Sequence, residues 1–405
     1  MYKIFLIGVP PGDQLGKMER MVAAGCSCMV ASDRYHELAA ELCDDVVPMT
    51  PIADAFAAID ERLAEANVAV LASGDPLFFG IGRTLLKRYG SHRLQIIPAV
   101  SSMQYACARF KEMWDDATLL SFHGREAAGV AAKVMTHDKV FCFTDRTNSP
   151  AMVARAMLDA CTAIGDDVLA SGYTVWVAEN LGGDDERVTC GTLDEIAGQS
   201  FADLNVMLLK RPVREAVTDI AFGLGEDDIH HSRGLITKDE VRAASLHQLR
   251  LPKRGVLWDI GAGSGSVGLE AARLCPDLQV FAIERNPEEL QNIRANCRKF
   301  AVYNLIVIDG AAPAALEELP APDRVFIGGS GGSLAAIIEQ AASRLPQGGR
   351  LVVNGVIEKT KRDAPVLLHE QGLNVTISEI TVQRRSFPEN SIKNMNSIAI
   401  MVGEK

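Results

Sequence analysis

Asp259-Ile260 runs into Gly261-Ala262-Gly263-Ser264-Gly265, and Glu284 follows about twenty residues later, where an acid accepting ribose hydroxyls is wanted. These residue types suit a nucleotide-like cofactor. Glycines let the chain turn sharply and let a ligand lie against main-chain atoms. The spacing here is G-x-G-x-G. A dinucleotide fingerprint, G-x-G-x-x-G, needs a third glycine where Ser266 stands. S-adenosylmethionine has no pyrophosphate for a helix N-terminus to hold. It offers a ribose, an adenine, an amino-acid end and a sulfonium, and carboxylates suit its hydroxyls and amino group. The stretch therefore predicts S-adenosylmethionine in preference to NAD, with a purely structural glycine turn as the other reading.

The first half has weaker candidates that gain by company. Ser73-Gly74-Asp75-Pro76 and the following Gly80 and Gly82 make one stiff, bare turn after an apolar run. Taken alone, Asp75 bonds local amides and caps a helix. Ser101 and Ser102 lie in a second strand-to-helix turn, His123 and Arg125 in a third, and Glu179–Gly183 in a fourth. Several polar loops at strand ends suggest one shared cleft.

Elements must hold these loops. Apolar runs at Ile4–Gly8, Val68–Ala72, Leu94–Ile97, Lys139–Phe143, Tyr173–Val177 and Leu204–Leu209 alternate with helical patterns such as Met18–Ala24, Ala53–Ala66 and Ala151–Ala163. Later strands are predicted at Gly255–Ile260, Gln279–Ile283, Leu305–Ile308, Arg324–Ile327 and Arg350–Asn354. Two last runs, Asn374–Gln383 and Ser397–Val402, are expected to pair antiparallel and close the sheet. Alternation of this kind argues α/β. Thr237-Lys-Asp-Glu240 reads as a capping box opening a helix to about Leu249. The polar, Gly-containing stretch from Gly223 to Gly234 reads as a boundary. We expect domains at 1–212 and 234–405, with a linker at 213–233.

The chain has 405 residues, 48% hydrophobic and 23% charged, with a formal net charge of -11. That length suits two or three domains of about 100–200 residues. The acidic balance opposes a nucleic-acid or anionic-membrane partner, which wants clustered Lys and Arg. No apolar run reaches about 18 residues, so no membrane span is expected, and MYKIFLIGVPPGD lacks a signal-peptide core. Nine cysteines lack metal or disulfide spacing, which points to a reducing cytoplasm and no bound metal.

Longer stretches carry a resemblance. "LASGDPLFFGIG", "IPAVSSMQYACARF" followed by Trp114, "SFHGRE" and "ENLGGDDERV" resemble the tetrapyrrole methylase superfamily, most of all its branch that methylates carbon 5 of a corrin precursor. "LITKDEVRAASLHQL", "LWDIGAGSGSVGLEAA", "AIERNPE" and "VFIGGSGGSL" resemble the partner enzymes that methylate carbon 15 and decarboxylate the ring-C acetate. The order matches the fused form of the two. The resemblance implies an N-terminal class III tetrapyrrole-methylase domain of two α/β lobes and a C-terminal Rossmann-like class I methyltransferase domain, each taking one S-adenosylmethionine. It implies a bifunctional C-methyltransferase of cobalamin biosynthesis. Expected cofactor contacts are Gly74, Asp75, Pro76, Ser101 and Ser102 in the first half. In the second they are Thr237, Asp259, Gly261, Ala262, Gly263, Ser264, Gly265, Glu284, Ala311 and Ala312. The partner is a small tetrapyrrole, with no nucleic acid or membrane, and a homo-oligomer, dimer or tetramer, is expected.

The chain departs from the family at two places. Pro10 replaces the middle glycine of a Gly-x-Gly-Pro-Gly loop, and Gly310-Ala-Ala-Pro313 stands where Gly-Asp-Ala-Pro is usual, with Asp309 one place earlier. Asn354-Gly-Val-Ile is unlike the Asn-Pro-Pro-Tyr of enzymes that methylate planar amino groups. The substrate's carboxylates want arginines. Candidates are Arg83 and Arg125, then Arg233, Lys238, Arg384 and Arg385, each otherwise a solvated charge. His123 is a candidate substrate or proton contact, or else a structural hydrogen bond. Gly328, Gly329 and Ser330 offer bare backbone to a macrocycle, and His230-His231 reads as incidental. A single-activity enzyme with one degenerate half, or an RNA methyltransferase, is the rival reading.

Overall fold

The computed structural model describes residues 2–122, 129–212, 220–234 and 236–405. His123 and Arg125 lie outside them. By compactness the chain divides into two units: 1–127, 139–154 and 173–210 in one, and 128–138, 155–172 and 211–405 in the other.

The first unit holds two sheets. Strands β1 (Ile4–Val9), β2 (Cys28–Ala31), β3 (Val46–Pro48), β4 (Val68–Ser73) and β5 (Leu94–Ile97) run parallel in the order β3-β2-β4-β1-β5. A parallel sheet covered on both faces wants continuous apolar strands, and β1 and β4 are such runs, with Ile4, Leu6, Ile7, Val68, Ala69 and Val70 fully buried. Register sets Val9 beside Ser73 and Ile7 beside Ile97. The carboxyl ends of β4, β1 and β5 therefore share one rim. The second sheet orders β6 (Thr118–Ser121), β7 (Lys139–Phe143), β8 (Thr174–Glu179), β9 (Arg187–Gly191) and β10 (Asn205–Lys210) as β6-β7-β10-β8-β9. Among the described residues, only its β6–β7 pair is parallel.

The second unit is built on seven strands: β11 (Arg254–Ile260), β12 (Asp277–Glu284), β13 (Leu305–Asp309), β14 (Arg324–Ile327), β15 (Arg350–Gly355), β16 (Asn374–Ile380) and β19 (Ile398–Glu404). Between the last two comes a hairpin, β17 (Gln383–Arg385) with β18 (Ile392–Asn394). The order is β13-β12-β11-β14-β15-β19-β16. The first five are parallel, and β19 inserts antiparallel to both β15 and β16. The order turns at β11, with β12 on one side and β14 on the other, so the crevice beyond their carboxyl ends is where such sheets bind ligands. Trp258, Ile260, Ile283, Ile327 and Val353 are buried together in the core behind that crevice. Burying each such side chain is worth about 1.5–3 kcal/mol.

The expected capping box at Thr237 does not form. The helix is Asp239–Leu249 with Lys238 at its cap and no side-chain cap bond. It starts one residue late because Glu240 is drawn away to Arg384 (Nε to Oε1 2.8 Å), while the Thr237 carbonyl accepts from Arg242 Nη1 at 3.0 Å. The stretch expected as a linker is fastened to the second unit wherever it is described. Leu224 and Ile229 are buried, and the Gly223 and Leu224 amides donate to Glu270 Oε1 at 2.9 and 2.6 Å. Among the described residues no helix is long and apolar enough to cross a membrane.

Candidate functional site: two sets of strand-end loops

In the second unit the glycine loop sits at the turn of the sheet order. The Gly261 and Ala262 amides donate to the Ile283 carbonyl at 3.0 and 3.1 Å, and Gly265 donates to Ala262 at 2.8 Å. Gly261 has φ +64°, and a Cβ there would collide with the Gly329 backbone. Only glycine lets the loop after β11 lie against the loop after β14. Gly328 and Gly329 are exposed and Ser330 half-buried, so their bare backbone borders the same crevice.

Glu284 ends β12. Its Oε2 accepts from the Gly263 amide at 2.9 Å, and its Oε1 accepts from the Arg285 and Asn286 amides at 2.8 and 2.9 Å. An ionised carboxylate has about four lone-pair sites. Three are taken, which fixes the side chain, and one on Oε2 is left for a ligand hydroxyl. Asp309, exposed at the end of β13, is in register with Glu284. A half-exposed carboxylate beside bare backbone is an acceptor set that fits the ribose hydroxyls of S-adenosylmethionine. Ala311 is exposed and Ala312 half-buried beyond Asp309, open to an adenine edge.

Asp259 departs from its expected place at the ligand. It is fully buried, and Oδ2 accepts from the Gly268 amide at 2.9 Å. Burial, with Glu284 adding repulsion, pushes its carboxyl up to about 7. Asp259 shapes the loop from beneath by holding the first turn of the next helix. Ser264 is likewise buried, 1% exposed, so its side chain is not at the surface of the crevice. Asn354 is spent on Ser245, its Nδ2 donating to Oγ at 2.9 Å.

The cationic candidates are already engaged to differing degrees. Arg384 donates to Glu240 and to Glu226 (2.7 Å to Oε1), and Lys238 donates to Glu226 Oε2 at 2.6 Å. Arg233 is an exposed residue 3.4 Å from Glu288, and Arg385 is exposed with Nη2 3.1 Å from Asn390. The backbone of His230 is clamped by Asn296. Sequence reasoning missed Asn296 and also Arg285, whose guanidinium lies 3.4 Å from where a Gly331 Cβ would stand. The only sequence signal for Arg285 was its place directly after Glu284.

In the first unit, the rim loops touch through backbone. The Gly74 amide donates to Val9 at 2.7 Å and the Ala99 amide to Gly74 at 3.3 Å. A Cβ on Gly8 would strike the Gly74 carbonyl and the Ala99 amide. Pro10 is accommodated: Asp13 donates to the Pro10 carbonyl at 3.1 Å, closing a turn with Pro11 and then Gly12 at φ +89°. This is the Pro–Gly order a type II turn favours. The Gly182 loop packs directly on Gly12, so loops from both sheets of this unit meet. Asp75 Oδ1 accepts from the Leu77 amide at 2.9 Å, and Pro76 is buried beneath Gly80 and Gly82. Ser101 is buried and caps the helix Ser102–Phe110 in a reciprocal box with Gln104; its hydroxyl serves the helix, and half-buried Ser102 begins it. Arg83 is exposed on the helix Gly82–Tyr89. Phe79, exposed and at φ 54°, is an uncommon backbone state for a bulky residue.

Comparison with known proteins finds two family models along the chain. Residues 3–197 match the family model for tetrapyrrole (corrin/porphyrin) methylases, and 228–386 match that for the precorrin methyltransferase domain. The chain is 36% identical over 373 residues to precorrin-6Y C(5,15)-methyltransferase [decarboxylating] of Sinorhizobium sp., covering 91% of this chain and 87% of that one. It is 31% identical over 300 residues to the protein of that name from Mycobacterium tuberculosis strain H37Rv, covering 72% and 70%. A crystal structure of precorrin-6y C5,15-methyltransferase from Geobacter metallireducens GS-15 aligns at a TM-score of 0.45 and 41% identity, over 46% of this chain and 98% of that one. The chain belongs to the precorrin-6Y C(5,15)-methyltransferase (decarboxylating) family, whose two methyltransferase domains are joined in one polypeptide.

Proposed function

We propose a division of labour along the chain. Residues 1–212 methylate carbon 5 of the precorrin macrocycle, and residues 234–405 methylate carbon 15 and decarboxylate the ring-C acetate, each with its own S-adenosylmethionine. The protein is a bifunctional C-methyltransferase of cobalamin biosynthesis. The observation that carries the division is the presence of two unrelated loop systems, each at the carboxyl ends of parallel strands. One is built on Gly8, Gly74 and Ala99, the other on Gly261, Gly329 and Glu284.

The cofactor supplies an electrophilic methyl group. A reduced tetrapyrrole meso carbon is enamine-like and already nucleophilic, so the protein's work is alignment, and orientation supplies much of the rate. Glu284 and the Gly261–Gly265 backbone hold the cofactor in the second site, with Ala311 and Ala312 along the adenine. Gly328, Gly329 and Ser330 admit the macrocycle edge, and Arg385 meets a peripheral carboxylate. Decarboxylation sends its electron pair into the ring imine that methylation creates, which nearby donors stabilise. In the first site Gly74, Asp75 and Pro76 hold the cofactor. Ser101 acts through the helix it caps, and Ser102 and Arg83 border the cleft. His123 and Arg125, which follow β6 in the sequence, complete the substrate contacts. The enzyme works as a homo-oligomer in the cytoplasm. Its nine cysteines are all free thiols, which suits a reducing compartment.

Two measurements test this. Calorimetric titration with S-adenosylhomocysteine should count two sites per chain, falling to one in Glu284→Ala. Mass spectrometry of the product should find two methyl groups gained and one carboxyl lost. One site per chain, or one methyl with the wild-type protein, overturns the reading.

A further inference from the structure

The helix Pro287–Lys299 follows Glu284 and lies against residues 228–233. Lys299 Nζ donates to the Asp228 carbonyl at 2.5 Å, Ser232 donates to Glu289, and Arg233 meets Glu288 at 3.4 Å. Asn296 sits in the middle of this row with no exposed surface. Its Oδ1 accepts from the His230 amide at 2.8 Å, and its Nδ2 donates to the His230 carbonyl at 2.9 Å. The same Nδ2 donates to the Ser264 carbonyl at 3.0 Å. One turn back on the helix, Ile293 Cγ1 fills the space that a Cβ on Gly265 would enter at 3.0 Å. The glycine loop is thus backed by one helix at two successive residues.

We propose that Asn296 is a positioning residue for the second methyl transfer: it ties the glycine loop to the 228–233 strap, so cofactor affinity depends on that strap. This rests on reading Gly261–Gly265 as the cofactor loop. The Ser264 carbonyl is turned inward to Asn296, while the next amide, Gly265, closes the turn onto Ala262 at 2.8 Å. Rotating that peptide breaks the turn and shifts Gly263 away from Glu284, which its amide now meets at 2.9 Å. An amide side chain has the needed two donors and an acceptor. Aspartate has the same shape but sets a carboxylate against two carbonyls, and alanine leaves both carbonyls and one amide unpaired in a buried place.

The test uses the full-length enzyme with S-adenosylhomocysteine as calorimetric probe and carbon dioxide release as rate. Asn296→Asp and Asn296→Ala are measured well below their melting points, beside Glu284→Ala. The expected result is a second-site dissociation constant raised about tenfold or more, the cost of unmade buried hydrogen bonds, with the first site unchanged. KM for S-adenosylmethionine should rise in parallel, while kcat at saturation falls by less than about threefold. Wild-type affinity in both Asn296 variants, with Glu284→Ala still weakened, overturns this proposal and leaves the cofactor site standing. An unchanged Glu284→Ala overturns the site itself and this proposal with it. A fall in kcat with unchanged KM, or unfolding that cofactor does not reverse, also overturns the assignment, because either marks a role other than loop positioning.

Discussion

Arg242 and Glu270 meet in the interior of the second unit, Nε to Oε2 at 3.0 Å, each 1% exposed. Each also holds the segment leading into the strap, which from here on means residues 223–233: Arg242 donates to the Leu224 carbonyl, and Glu270 accepts the Gly223 and Leu224 amides. Removing one partner of a buried pair leaves an uncompensated charge and costs about 3–5 kcal/mol. Glu270→Ala should therefore speed hydrogen exchange in β11 and β12 sharply. The double variant Arg242→Met/Glu270→Met should recover only part of the loss, because two strap amides still lack an acceptor. Full recovery would show that the strap bonds contribute nothing.

A cut after residue 233, at the boundary read from the sequence, should leave a poor fragment. It discards Leu224 and Ile229, 1% and 2% exposed, and each is worth about 1.5–3 kcal/mol of burial. It also strips the bonds to Glu270, Asn296 and Glu289. Fragment 220–405 should express soluble and melt at a clearly higher temperature than 234–405. Equal melting temperatures would make the strap a passive tether.

Asp259 should make stability fall as pH rises. Its folded carboxyl is raised to about 7, above the unfolded value of about 3.9. The folded state therefore holds the proton more tightly. Its contribution is complete below about pH 4, declines as pH rises, and is lost above about pH 7. Asp259→Asn keeps an acceptor for the Gly268 amide and carries no charge. Relative to wild type, it should gain urea resistance steadily across that window and no more beyond it. Trp258, with Trp114 and Trp176 replaced by Phe, reports the transition. Parallel curves at all pH values would mean that the folded Asp259 carboxyl titrates as it does in the unfolded chain.

How far the sequence can be read depends on what each signal is made of. Arg324–Ile327 and Lys139–Phe143 were legible to the residue, since a buried strand bounded by turn residues announces itself. Cys28–Ala31 and Thr118–Ser121 were not, because four residues with cysteine, methionine, alanine or serine among them carry little β signal. The spacing of Glu284 from the glycine loop foreshadowed its contact with that loop. Asn296 was not: its partners, His230 and Ser264, are 66 and 32 residues away, and nothing local marks a buried asparagine on a polar helix. Asp259 misled because an acid near a glycine loop looks the same in sequence whether it faces the ligand or lies beneath the loop.

Asp75 offers the sharpest test of the first site. The helix after its loop, Gly82–Tyr89, is capped at Ile81 without a side-chain bond, so Asp75 is not that helix's cap. Its Oδ1 instead accepts the Leu77 amide at 2.9 Å and shapes the turn. Asparagine keeps that acceptor and the side-chain size, so Asp75→Asn should melt within a degree or two of wild type, as expected where about 0.5 kcal/mol or less is lost. If the carboxylate charge meets the cofactor's cationic end, the variant's product should be one methyl lighter. Methylation at carbon 15 and decarboxylation should continue at the wild-type rate, because the proposed division of labour assigns them to the other loop system. Loss of a charge-assisted hydrogen bond of about 1.5–3 kcal/mol predicts a tenfold or greater fall in carbon-5 methylation at subsaturating cofactor. A doubly methylated product formed at the wild-type rate would leave Asp75 a turn-forming residue and nothing more.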